Sequence, residues 1–175
     1  MSGNRRPVRE GVPVTFDLSF RTEDNRVETR AAQDESNESR VYNLYVLIFD
    51  ADGNKHYGQF FDDNITFTDG YRKGSVAIET TSLNNATVVC IANLTTDGVH
   101  TDYNVTETDI QNIQTLNALK AYETTLENED YERSTQFFMT GYGYETDAQG
   151  NKLEPESTSI TIPDNLEQKG IYCIL

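Results

Sequence analysis

The clearest pattern in the chain is a strict alternation of apolar and polar positions near its start. From residue 12 to residue 20 every even position is apolar, and every odd position is polar or proline. Successive side chains of a strand point to opposite faces, so a period of two predicts a half-buried strand with one apolar face. The apolar positions are Val12, Val14, Phe16, Leu18 and Phe20.

A second, almost continuous apolar run predicts a central strand. Residues Val41–Phe49 are rich in β-forming types, which is typical of a strand covered on both faces. Asp50–Asn54 predicts a turn, across which Lys55–Phe61 pairs back as a hairpin. Shorter strand candidates are Asn64–Thr68, Ser75–Thr80, Thr87–Asn93, Thr135–Gly141, Ser157–Ile162 and Gly170–Leu175. Turn signals stand at Asp69-Gly70, Asn84-Asn85, Asp97-Gly98 and Gly150-Asn151.

One helix is predicted in a connection between strands. Thr108 and Asp109 are suited to cap it, and its apolar residues recur mostly at a spacing of three: Ile110, Ile113, Leu116, Leu119 and Tyr122. We expect this helix to pack on an edge of the sheet structure. Many short strands separated by regular turns favour an all-β, antiparallel sandwich with one short helix.

The segment from residue 21 to residue 40 differs from both flanking strands. Acidic residues alternate there with Arg26, Arg30 and Arg40, and no apolar periodicity is present. This pattern predicts a solvated loop, long enough to suggest a function of its own.

Charge and hydropathy exclude some classes of partner. Fourteen Lys and Arg residues stand against 29 Asp and Glu, for a net charge of −15, so a nucleic-acid partner is not expected. No apolar stretch approaches the roughly 18–20 residues that a membrane helix needs. Cys90 lies inside an apolar run, where we expect a buried free thiol in preference to a bridge with Cys173.

Candidate chemistry is sparse. His56 and His100 lie in or beside predicted turns, and no Cys or His pair has zinc-site spacing. We therefore expect no cofactor, no metal and no catalysis. Tyr131, Tyr142 and Tyr144 suggest a platform for stacking a sugar, although outward tyrosines of a hairpin are the favoured interpretation.

Three segments in order resemble the amino-terminal half of a fimbrillin, the subunit of Bacteroidia-type (type V) pili, over Val12–Leu94. The first is the alternating strand Val12–Phe20, followed by an acidic loop that contains Thr29–Ala32. The second, Glu38–Asp50, is similar to the family's core strand. The third, Val88–Leu94, is similar to its strand ending in Ala-Asn.

The resemblance implies a transthyretin-like Greek-key sandwich that polymerises by donor-strand exchange and serves adhesion. An arginine-specific protease would cut after Arg30, before Ala31, and release the strand Val12–Phe20 for replacement by a strand from a neighbouring subunit. Residues 1–30 would then form the leader-proximal segment with the removable strand, and residues 31–175 the sandwich domain. Implied partners are other pilus subunits, the protease, and a host surface protein or glycan.

The resemblance also implies an outer-membrane lipoprotein precursor at the cell surface, in contact with the membrane only through a lipid anchor. No cysteine precedes Val12, so a lipidation site is not visible. Family members usually continue into a second sandwich that donates the strand, whereas this chain ends at Leu175. We expect either an isolated amino-terminal domain or a member that accepts a strand without donating one.

Two other functions stay open. The first alternative is a monomeric surface domain that binds a carbohydrate or a protein. The second is a hydrolase, for which the carboxylates of an acidic chain are not evidence.

Overall fold

Strands dominate the computed structural model, which describes residues 8–22, 40–96, 105–127, 139–147, 149, 151–153, 157–163 and 170–175. Within these residues the strands follow one hydrogen-bonded path, β3-β2-β6-β7-β9-β1-β5-β4, and β8 pairs with β6. Their bounds are β1 (Pro13–Arg21), β2 (Leu44–Phe49), β3 (Lys55–Phe61), β4 (Thr66–Asp69), β5 (Lys73–Thr81), β6 (Leu83–Ala92), β7 (Met139–Thr146), β8 (Ile160–Ile162) and β9 (Gly170–Ile174).

The path folds into two layers at β7. Residues 139–142 of β7 pair with β6, whereas residues 143–146 pair with β9. One layer is therefore β3-β2-β6, the other is β9-β1-β5-β4, and β7 belongs to both. The inward residues of both layers form one buried cluster, which confirms the predicted all-β sandwich.

Sequence periodicity explains which side chains form this core. The even positions of β1, β2 and β5 point between the layers, together with the even positions of β6 from Ala86 onwards and the odd positions of β9. All six residues of β2 are buried, which confirms the prediction of a central strand covered on both faces.

The outer face of β2 and β6 is covered by two helices, where one helix at an edge was predicted. α1 (Glu107–Gln111) begins after Thr106, whose side chain forms a reciprocal capping box with Asp109, so the expected cap at Thr108 is wrong. α2 (Leu116–Glu127) follows it. Both helices bury apolar residues against this face, because β2 and β6 present a second apolar surface there: Tyr45, Leu47, Phe49, Val89 and Ile91.

Two further expectations about the strands are corrected. The sheet is mixed, because β1 runs parallel to β9. Asn84-Asn85 is no turn: it lies within β6, where Asn85 has a φ of 53° and the register with β8 shifts. The turns at Asp50–Asn54 and Asp69-Gly70 are confirmed, with Gly53 and Gly70 at positive φ.

The cysteines form a disulfide, so the prediction of a free thiol at Cys90 is wrong. Cys90 in β6 and Cys173 in β9 lie in opposite layers with their Cα atoms 6.5 Å apart. Both side chains point into the core and are fully buried. The bridge therefore joins the two layers across the middle of the sandwich.

Candidate strand-exchange site

The first strand lies in the interior of its layer. All nine residues of β1 pair antiparallel with β5, in the register Pro13–Thr81 to Arg21–Lys73. On its other side, residues 18–21 pair in parallel with residues 171–174 of β9. Removing β1 would consequently leave unpaired backbone on two strands, where an edge strand would leave it on one.

Burial along β1 increases towards its carboxyl end. Phe16 is 8% exposed, whereas Leu18 and Phe20 are fully buried. Val12 and Val14 are half-buried, and Val14 packs against the same core. The alternation predicted for this strand is confirmed, and its second half contributes most of the apolar contact.

Further backbone hydrogen bonds hold the chain on both sides of β1. Before the strand, Gly11 N donates to Ser82 O at 3.0 Å, and Ser82 N donates to Val12 O at 2.8 Å. After it, Thr22 N donates to Arg72 O at 3.0 Å. Residue 22 is the last one described before the acidic segment, so the chain is paired up to that point.

Arg40, the next residue that the structure describes, is again held by several contacts. Its guanidinium lies 4.6 Å from the ring centroid of Tyr71 and donates to Tyr42 Oη at 3.3 Å. Its carbonyl accepts a hydrogen bond from Asn93 Nδ2 at 2.7 Å. The next residue, Val41, is fully buried and donates its N–H to Tyr71 O at 2.8 Å.

Two asparagine side chains form a clamp between this segment and the end of β6. Asn93, at a φ of 66°, also accepts from Tyr42 N at 2.7 Å. Asn43 accepts from Leu94 N at 2.7 Å and donates to Leu94 O at 2.8 Å. These amides continue the β2–β6 pairing beyond the strands. No pattern in the sequence predicts this role, although Asn93 lies in one of the segments that carry the family resemblance.

The structure describes some, but not all, of the other residues singled out in the sequence. Arg30 and Ala31, the predicted cleavage site, lie outside the described residues, as do Tyr131 and His100. Tyr142 packs against the second core cluster, whereas Tyr144 pairs in register with Tyr172 and has Lys152 Nζ 3.8 Å from its ring centroid. Tyr142 and Tyr144, which the alternative of a sugar-stacking platform would place together, therefore have different surroundings. His56 Nε2 lies 2.9 Å from Thr81 Oγ1, a contact between the two layers.

Two titratable groups on β3 are shifted by their surroundings. Burial, reinforced by the negative charge of Glu79 and by Tyr45, raises the pKa of Tyr57 to about 12. Burial lowers the pKa of Lys55, whose Nζ donates to Gln111 O at 3.1 Å. Packing within the fold explains both pKa shifts, so neither shift requires a bound ligand.

Neither a metal cluster nor a spanning helix stands out in the part of the chain that the structure describes. Within it, no three His, Cys, Asp or Glu side chains are grouped to hold a metal ion. The helices described there are too short or too polar to cross a membrane.

A family of fimbrial proteins matches most of this chain. The family model of the fimbrillin-A associated anchor proteins Mfa1 and Mfa2 matches residues 9–163. Among solved structures, the chain is similar to a fimbrial assembly protein from Parabacteroides distasonis ATCC 8503, with 19% sequence identity and a TM-score of 0.36. That likeness covers 58% of this chain and 37% of the other, so the chain spans little more than a third of that protein's length. No curated protein matches. Since the family model extends over most of the sequence, the chain belongs to the family of fimbrillin-A associated anchor proteins Mfa1 and Mfa2.

Proposed function

We propose that this protein is a structural subunit of a cell-surface pilus and joins its neighbour by exchange of β1 for a strand of another subunit. Its family is fimbrial, which supports a role in pilus structure. The observation that carries the exchange step is the position of β1, paired along its whole length with β5 and along four residues with β9.

The energy at stake is comparable to the stability of a whole domain. Phe16, Leu18 and Phe20 each contribute about 1.5–3 kcal/mol by burial, so the three together supply roughly 5–9 kcal/mol as an upper estimate. Domains are stable by only about 5–15 kcal/mol. A sandwich without β1 would also expose unpaired N–H and C=O groups on β5 and β9, which favours the addition of a strand.

Proteolysis would free the strand without opening the sandwich. We propose cleavage after Arg30, before Ala31, by an arginine-specific protease. The chain is held by hydrogen bonds at residue 22 on one side and at residues 40 and 41 on the other. A cut between them leaves both ends attached to the fold, so β1 departs only when another strand or a denaturant competes for its place.

The family name and the disulfide support a location outside the cytoplasm. A buried disulfide is typical of proteins that fold in an oxidising compartment, such as the cell envelope and the cell surface. The description of the family as anchor proteins supports a position where the pilus is attached to the cell. We propose that a lipid anchor holds the uncut precursor on the outer membrane, and that the assembled pilus adheres to a host protein or glycan.

The test is limited digestion of the folded chain with an arginine-specific protease, with an Arg30→Lys variant as the matched control. Mass spectrometry should find a cut after Arg30 in the parent and none there in the control. The cut chain should lose β1 in mild denaturant, unfold at a lower denaturant concentration, and recover when a synthetic peptide of residues 12–21 is added. A cut chain that loses β1 and remains equally stable would refute strand exchange and favour the monomeric binding domain.

A further inference from the structure

The inward-facing residues in register with Phe20 are mostly small. In register across the layer, Phe20 has Gly74 of β5 on one side and Cys173 of β9 on the other. Beyond them lie Phe67 of β4 and Gly143 of β7. Both immediate neighbours of the Phe20 ring are therefore small.

The described neighbours of the other buried β1 residues have branched side chains. Leu18 lies between Val76 and Ile171, and Phe16 faces Ile78. Among the described neighbours of the buried β1 residues, small residues lie only beside Phe20. We call the surroundings of this ring, formed by Phe67, Gly74 and Cys173, the Phe20 socket.

Gly74 is required for the shape of the Phe20 socket. A Cβ atom on residue 74 would lie 2.9 Å from Phe20 Cζ and 2.5 Å from the carbonyl oxygen of Thr66, closer than real Cβ contacts allow. The ring of Phe20 therefore occupies the space that a side chain on β5 would take. Gly74 is buried and its φ is not positive, so close approach explains the glycine and backbone conformation does not.

The other walls of the Phe20 socket favour a planar ring. Phe67 meets Phe20 edge to face, with centroids 6.2 Å apart and an interplanar angle of 90°. Tyr71 packs in turn on Phe67 at 5.0 Å. Cys173 is held in place by its disulfide to Cys90 in the opposite layer, so this wall cannot close if β1 leaves.

We propose that the Phe20 socket selects the donor strand and sets its register: the incoming strand of another fimbrial subunit must place an aromatic side chain there. This inference rests on the proposed function. A strand shifted by one residue turns its apolar side chains outward. A strand with the sequence of β1, shifted by two residues, places a smaller side chain in the socket. The shift also forces one of its phenylalanine rings into the space between Val76 and Ile171.

The experiment uses the full chain, cut after residue 30, and measures the affinity of labelled peptides of residues 12–21 in mild denaturant. The parent peptide is compared with Phe20→Leu and Phe20→Ala, and Val14→Ala is the matched control, because Val14 is apolar but only half-buried. We expect Phe20→Ala to weaken binding by about a hundredfold or more, Phe20→Leu by about tenfold, and Val14→Ala by only a few-fold.

A variant of the chain tests the wall of the socket separately. In a chain with Phe67→Leu, the penalty for Phe20→Leu in the peptide should shrink, since the lost edge-to-face contact is shared by both rings. Parent binding together with equal losses for Phe20→Ala and Val14→Ala would overturn the socket and leave strand exchange standing. Failure of the parent peptide to bind the cut chain would overturn strand exchange itself, and the socket with it.

Discussion

Breaking the disulfide between Cys90 and Cys173 should remove a large share of the stability of this fold. The two cysteines are 83 residues apart in sequence, so the bridge closes a long loop in the unfolded chain. The loop-entropy relation gives about 4.5 kcal/mol for a loop of that length. Against a typical domain stability of about 5–15 kcal/mol, this loss is about 30% or more of the total.

The assay is denaturant unfolding of the oxidised chain, the reduced chain and cysteine variants, followed by circular dichroism because the chain has no tryptophan. The reduced chain should unfold at a lower denaturant concentration and with a steeper dependence, since its unfolded state is less compact. Cys90→Ala and Cys173→Ala should each cost nearly as much as the double variant, because either change opens the loop.

Two outcomes would refute this reasoning. One is reduced protein that unfolds at the same midpoint and slope as oxidised protein. The other is detection of two free thiols after unfolding without reductant, because both sulfurs are buried and paired in the fold. Additive losses in the two single variants would indicate that lost packing at each site outweighs the closed loop.

The remaining predictions concern local protection and ionisation. Arginine-specific digestion should spare the peptide bond after Arg40, because the Arg40 carbonyl accepts a hydrogen bond from Asn93 and its guanidinium lies against Tyr71. Changing Asn93 and Tyr71 to Ala should make that peptide bond cleavable. A folded double variant that stays uncut there would contradict the explanation. The pKa of Tyr57 is raised to about 12, mainly by burial. Its contribution to the stability of the fold should therefore be fully present below pH 10, the ordinary pKa of tyrosine, and should be lost as the pH rises through about 12. Tyrosinate absorbance should show a late-titrating phenol that disappears in Tyr57→Phe and titrates earlier in Glu79→Gln; an unchanged late phase in Tyr57→Phe would assign it to another tyrosine.

Elements whose pattern is local were predictable from the sequence. The alternation of Val12–Phe20 predicted a strand and its buried face, because the geometry of a strand alone dictates which side chains share a side. The hairpin of β2 and β3 was predictable for a similar reason, since Asp50–Asn54 carries its own turn-forming hydrogen bonds. Periodicity predicted only the strand itself, whereas its exchange was implied by the resemblance to fimbrillins.

Features that join distant segments were not predictable. Nothing in the spacing of Cys90 and Cys173 indicates that β6 and β9 face each other across the core. Asn84-Asn85 has the composition of a turn, yet β8 pairs there and makes it a bulge. The apolar run of β2 indicates that both of its faces are covered, but only the tertiary structure shows that β6 extends the outer face and that two helices cover it.

The sequence by itself therefore determined the strands, the principal turns and the apolar face of β1, because these depend on neighbouring residues and fixed backbone periods. The tertiary structure alone decided that β1 lies between β5 and β9, that Phe20 fills the space left by Gly74, and that the disulfide fixes the wall beside it. Those features depend on which strands pair, and pairing is settled by the burial of the whole core.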